Sequence, residues 1–241
     1  MTRFIKTLLA VAIVASLSAC LLPAFGNGSL SDQTIQVGAF DSLDISGVTD
    51  LEFVVSDTRQ VVISIDSNLQ DLIIVSLDGS VLEIGMKPFT SMVPAVASKI
   101  TVYGPAITDI QSSGTGQVTI PALNLADRDF SLSSSGTGTV SISMLQVPNN
   151  KVTISLSGTG DCTLQGQARN LVILTEGTGT IHANDLPAET VQLAMSGTGH
   201  CHVSASLAIV GTMSGIGNLY YYGKSATPSV EISGLGSIIA R

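Results

Sequence analysis

The chain contains three histidines, and all of them, His182, His200 and His202, fall in its last third. Three converging imidazoles can hold Zn or Cu, which makes these the candidate metal ligands. His200 and His202 flank Cys201; on a β-strand both then share one face, about 7 Å apart. His182 and His202 occupy equivalent places in a repeat of about 20 residues, so adjacent strands would bring them within about 5 Å. Asp161 lies two repeats before His200. Other repeats carry Thr, Asn or Ser at these outward places, and no residue that would orient the rings is evident. His182, His200 and His202 therefore stand as candidates with no metal assigned, and no cofactor is expected.

Cys162 and Cys201 suggest a disulfide, but the repeat sets them two strands apart, about 9–10 Å and beyond bonding reach. They are expected as buried thiols acting as small hydrophobes. Catalysis would need a nucleophile, a base and an orienting group at matched spacing. From Ser112 to Arg241 the Lys and Arg residues are Arg128, Lys151, Arg169, Lys224 and Arg241, and no such set can be assembled around them. No catalytic residue is expected. A polysaccharide-binding or polysaccharide-processing module of the envelope is the alternative reading.

These side chains sit on a repeat that organises the second half of the chain. The first glycines of a Gly-x-Gly motif fall at Gly114, Gly136, Gly158, Gly177, Gly197, Gly215 and Gly234. Five units read Gly-Thr-Gly; the last two read Gly215-Ile216-Gly217 and Gly234-Leu235-Gly236, and Ser46-Gly47-Val48 is a degenerate forerunner. Two residues past the second glycine come Val118, Val140, Cys162, Ile181, Cys201, Leu219 and Ile238. Two further on come Ile120, Ile142, Leu164, Ala183, Val203, Tyr221 and Ala240. An apolar period of two marks strands with these columns facing inward, and no 3.6-residue rhythm signals helix. A repeat of about 20 residues that buries its face only by stacking is a solenoid. The expected fold is all-β, a single-stranded parallel β-helix of ~20-residue rungs about 4.8 Å apart. By the same count both glycines face inward and the threonine outward, which lets the wall approach the opposite sheet or bend into a corner. Residues 34–104 also alternate but lack the motif, so a more irregular β-rich part is expected there, with a hairpin turn at Asp78-Gly79-Ser80 and a loop over Pro88–Ser98.

The first residues read differently. "MTRFIKTLLAVAIVASLSAC" places Arg3 and Lys6 before an apolar run and small residues, the pattern of a secretory signal over 1–19. The run is shorter than the ~20 residues that span a bilayer. Leu17-Ser18-Ala19-Cys20 resembles the lipobox of bacterial lipoproteins, so Cys20 is expected to be acylated and to anchor the chain to a membrane. Residues 20–33 are expected to be that cysteine and a flexible tether, with the domain running from 34 to 241. Of 10 Lys and Arg, Arg3 and Lys6 lie in the signal, which leaves eight against 18 Asp and Glu. Nucleic acid is thereby excluded, since its affinity rests on basic residues neutralising phosphates.

The units Ser-Gly-[Thr/Ile/Leu]-Gly, with "SGIGNLYYYG" (214–223), "ISGLGSI" (232–238) and the opening "FDSLDISGVTDLEFVVSD" (40–57), resemble the bacterial family described as "putative auto-transporter adhesin, head GIN domain". The resemblance spans roughly Thr34 to Arg241. It implies a right-handed β-helix and an envelope location, often as a lipoprotein, and brings no catalytic residues. The function expected is non-catalytic binding, adhesion or scaffolding at the cell surface, with the outer membrane as anchor. A glycan or protein is the expected ligand, and a homo-oligomer is open. Ile216, Tyr220, Tyr222, Leu235 and Ile239 face outward near the last rung, as a partner surface or as the cap that a solenoid needs.

Overall fold

The computed structural model describes residues 23–47, 49–223 and 227–241. The expected signal peptide, Cys20, and Val48 of the degenerate motif lie outside them. About 61% of the chain is strand, and the strands stack in parallel as a solenoid of about 6 turns. Among the described residues the helical content is one 3-10 turn, Gln70–Leu72. No helix there is long and apolar enough to cross a membrane.

The repeat accounts for this directly. In each of Val140–Leu156, Cys162–Thr175, Ile181–Met195 and Cys201–Met213, one long strand supplies two walls of the solenoid. Their register aligns Val140, Cys162, Ile181, Cys201, Leu219 and Ile238 in one column, as the glycines dictate. All but the last of these are buried, as are Ile142, Leu164, Ala183 and Val203 beside them. A fully buried Ile or Leu contributes about 1.5–3 kcal/mol, so the columns are what hold the rungs together. Charge contributes little. The ion pairs among the described residues, Lys99–Glu52, Lys151–Asp129 and Arg169–Glu189, are solvent-exposed contacts worth at most about 1 kcal/mol each.

The glycine columns answer to a neighbour other than the opposite sheet. A Cβ on Gly158 would overlap the Gly136 carbonyl oxygen, and one on Gly160 would overlap that of Gly138. The same clash with the preceding rung recurs at Gly177, Gly179, Gly197, Gly199, Gly215 and Gly217. None of these glycines has a positive φ, so backbone conformation does not demand them. Successive rungs touch backbone to backbone at this corner, and that contact excludes any side chain.

The N-terminal half builds the stack out of chain order. Ser42–Ile45 lies between Val81–Met86 on one side and Asp109–Ser112 on the other, parallel to both. Asp50–Val55 likewise lies between Lys99–Gly104 and Val118–Ile120. The chain therefore starts inside the stack, works outward, and returns over its own first rung. The outer end closes by reversal: Ile73–Asp78 runs antiparallel to Val81–Met86, and Gln60–Asp66 runs antiparallel to Lys99–Gly104. Phe40 and Phe53 pack edge to face at 6.4 Å inside it.

From Ala24 onward the chain belongs to the fold, which corrects the tether expected up to residue 33. Ala24–Phe25 pairs with Met92–Val93, inside the expected loop, and Leu30–Gln36 pairs antiparallel with Gln60–Asp66 as the outermost strand. The organiser is the fully buried Asp66. Its carboxylate accepts the Gly28 N–H at 2.6 Å and the Ala95 N–H at 2.9 Å. Burial pushes this carboxyl up, but the backbone donors of Ala95, Gly28 and Val96 together outweigh it and hold it below the usual carboxylate range. Gly26 has no room for a Cβ against the same carboxylate. The Gly and Asn content that reads as linker is used to wrap the chain around one charge.

Gly158→Ala should lower stability by on the order of 3 kcal/mol in urea unfolding, because the obstacle is backbone. Thr159→Ala, at the exposed residue beside it, should change it by less than about 0.5 kcal/mol. The depressed Asp66 carboxyl stabilises the fold fully above its unfolded value of 3.8, and this is lost as pH falls through the lower folded value. Thermal melts of Asp66→Asn should therefore show a lower plateau at neutral pH and a flatter acid limb than wild type.

Candidate binding surface at the C-terminal rungs

The third residue after each second glycine faces outward, and in the last rungs this column reads Thr163, His182, His202, Tyr220 and Ile239, in register. Stacking at the rung spacing brings planar side chains into contact. His182 and His202 lie ring over ring at 5.1 Å and 23°, and His202 stacks on Tyr220 at 4.5 Å and 15°. The Arg241 guanidinium covers the Tyr220 ring at 5.2 Å, a cation–π contact that ends the ladder. Tyr222 reaches back with its hydroxyl 3.3 Å from His202 Nδ1.

His200 is engaged elsewhere. Its Nδ1 accepts the Asn218 backbone N–H at 3.0 Å, which requires a lone pair there and leaves the proton on Nε2. Asp161 does the same for Thr180 N–H at 2.6 Å, and Asn218 for Ser237 N–H at 3.0 Å. The residue after the second glycine thus supplies an acceptor to the next rung at the corner, and His200 fills that role. The structure does bring the three histidines together, but as a stack and a corner bond. Ring lone pairs lie in the ring planes, so stacked imidazoles do not aim them at a common point. Among the described residues no three His, Cys, Asp or Glu are arranged to hold a metal ion.

His202 is half-buried between these rings. Burial lowers its pKa below 6.5, and the neighbouring His182, His200 and Arg241 charges lower it further. Cys162 and Cys201 are free and buried, aligned with Ile181 between them, and burial pushes both thiols up to about 12. They are inert as nucleophiles.

The residues expected to face outward lie on these same rungs. Ile216 and Leu235, which continue the outward threonine column, are 60% and 84% exposed. Tyr220, Tyr222 and Ile239 are half-buried, while Tyr221 turns inward onto the core. Among the described residues the last strands, Pro228–Ile232 and Ile238–Ala240, each pair on one side only, and Ile232 of the inward column is 42% exposed. No described element covers this end. The Tyr220–His202 stack escaped the sequence reading, although the constant offset from the glycines was enough to find it. The covering by Arg241 has no sequence signal.

A β-solenoid with an apolar, aromatic end is the class that these features define. The chain belongs to the family described as "putative auto-transporter adhesin, head GIN domain", whose model matches residues 39–225. It is similar in fold to a solved "putative adhesin" from Bacteroides fragilis, with a TM-score of 0.84 at 24% identity over 90% of this chain and 99% of that one. A "putative lipid binding protein" from Parabacteroides distasonis gives a TM-score of 0.70 at 20% identity, over 90% and 100%. A "putative adhesin" from Parabacteroides merdae gives 0.66 at 20%, over 90% and 98%. No match is found among curated proteins.

Because its folded pKa is depressed, neutral His202 stabilises the end rungs fully above about 6.5 and progressively less as pH falls below that. His202→Phe keeps a stacked ring without the titration. Its melting temperature should fall less than that of wild type across this acid range, and an equal fall would refute the role given to His202.

Proposed function

We propose that this chain is a non-catalytic, lipid-anchored protein of the cell envelope, held to the outer membrane through Cys20, that binds a surface ligand with its C-terminal rungs. The observation that carries this is the polarity of the stack. The fold begins at Ala24, beside the closed end organised by Asp66, while the ladder, Ile216 and Leu235 lie at the free end. Along one wall nine strand-to-strand steps separate Gln60–Asp66 from Ile238–Ala240. At about 4.8 Å each, the last strand stands roughly 43 Å from the anchored end, with Tyr220 of the ladder one step before it. Family membership supports an adhesin-like head.

Half-buried tyrosines with exposed aliphatic neighbours suit the apolar face of a glycan or a protein partner. A shallow groove along Ser157, Glu176, Ser196 and Ser214 offers polar groups but no basic residue. Protease shaving of intact cells, with immunoblotting for the solenoid and a periplasmic control, tests the placement. Loss of the solenoid while the control survives is the expected outcome; protection until the cells are permeabilised would sink the adhesin reading. Retention on immobilised envelope glycans without release of reducing ends would separate a binder from an enzyme.

A further inference from the structure

The end of the fold nearest Cys20 carries an apolar face of its own. Six phenylalanines occur in the chain, and there is no tryptophan. Phe40, Phe53 and Phe130 are buried in the core. Phe25 and Phe89 are 67% and 86% exposed. Phe25 belongs to the strand pair where the described chain begins, as the register partner of Val93, itself 46% exposed, and Phe89 lies in the turn that leads into the same pair, three residues before Met92. Phe89 has a φ of 59°, a left-handed conformation that bulky side chains rarely adopt, and it presents its ring to solvent. Exposed Lys87 accompanies it, its carbonyl accepting the Thr90 N–H and hydroxyl.

Covalent geometry says what lies opposite. Four Cα steps join Cys20 to Ala24, at most about 14 Å when fully extended. Ala24 already donates its N–H to the Ser91 carbonyl at 2.8 Å, and Gly26 donates to the Val93 carbonyl at 2.9 Å. An acyl group on Cys20 therefore leaves this end no freedom to stand away from the bilayer, whatever path residues 21–23 take. We infer that Phe25, Phe89 and Val93 rest in the interfacial zone of the membrane that holds the Cys20 lipid, with Lys87 at the headgroups; this rests on the lipid anchor proposed above. The face is stiff before it docks, since Asp66 ties the Gly28, Ala95 and Val96 N–H groups on both sides of the strand pair. Docking would then orient the stack on the membrane, where an acyl chain alone would leave it free to swing.

The absence of tryptophan makes a direct test available in the full chain. Phe89→Trp, expressed with its signal and reconstituted as the acylated protein in phosphatidylcholine–phosphatidylglycerol vesicles with brominated acyl chains, carries a single reporter. Its fluorescence should be quenched roughly threefold or more beyond that of Leu235→Trp at the far end, as for a side chain 5–10 Å into the boundary. Phe25→Trp should repeat the result. Quenching no greater than at Leu235→Trp, in protein whose intact mass shows acylated Cys20, would overturn the docking and leave the anchor standing. An unmodified Cys20 would overturn both.

Discussion

One contact governs the structure: at one corner of every rung from Gly114 onward, the backbone of each turn rests on the carbonyl oxygens of the turn before. No Cβ can stand between them, so two glycines must recur at the corner. That requirement fixes the phase of everything after it. The residue beyond the second glycine accepts a hydrogen bond from the next rung, the next residue packs inward, and the one after it stacks outward. Rung lengths differ, and the difference is absorbed away from this corner, where the register shifts fall between Ile142 and Leu145, Thr163 and Asn170, and Ala183 and Ala188.

The two ends of such a stack face different problems. Exposed strand edges invite pairing with other chains, and the N-terminal end avoids this by turning its outer strands antiparallel and laying Leu30–Gln36 along the rim. Among the described residues the C-terminal strands keep an unpaired edge, short as it is, with Tyr220, Leu235 and Ile232 on these last rungs. A free edge beside an aromatic ladder is chemically suited to a partner, while the closed rim is suited to attachment.

Much of this could be read from the residues. The Gly-x-Gly period gave the solenoid, the inward columns, the free thiols and the His182–His202 alignment, because each follows from counting in twos from a fixed glycine. What could not be read is where the counting origin is missing. Residues 42–104 lack the glycine pair, and their order in space differs from their order in the chain, which no local pattern encodes. The strands at Ala24–Phe25 and Leu30–Gln36 were hidden for another reason: Pro23, Gly26, Asn27 and Gly28 have linker composition, and only the distant Asp66 carboxylate makes a structure of them. At the ladder, proximity was legible but ring orientation was not, and orientation is what makes a stack out of candidate ligands.

The returning path of the chain also bears on how the molecule assembles. Asp50 accepts the Gln117 N–H across 67 residues, so the first rung has no neighbour on that side until this long segment has been made and folded back. Closing so large a loop is the slow kind of folding event, whereas each later rung has only to find a neighbour some 20 residues away. Assembly then becomes one rate-limiting closure followed by rapid zipping. The speed of folding is set in the half of the chain that the glycine repeat never reaches.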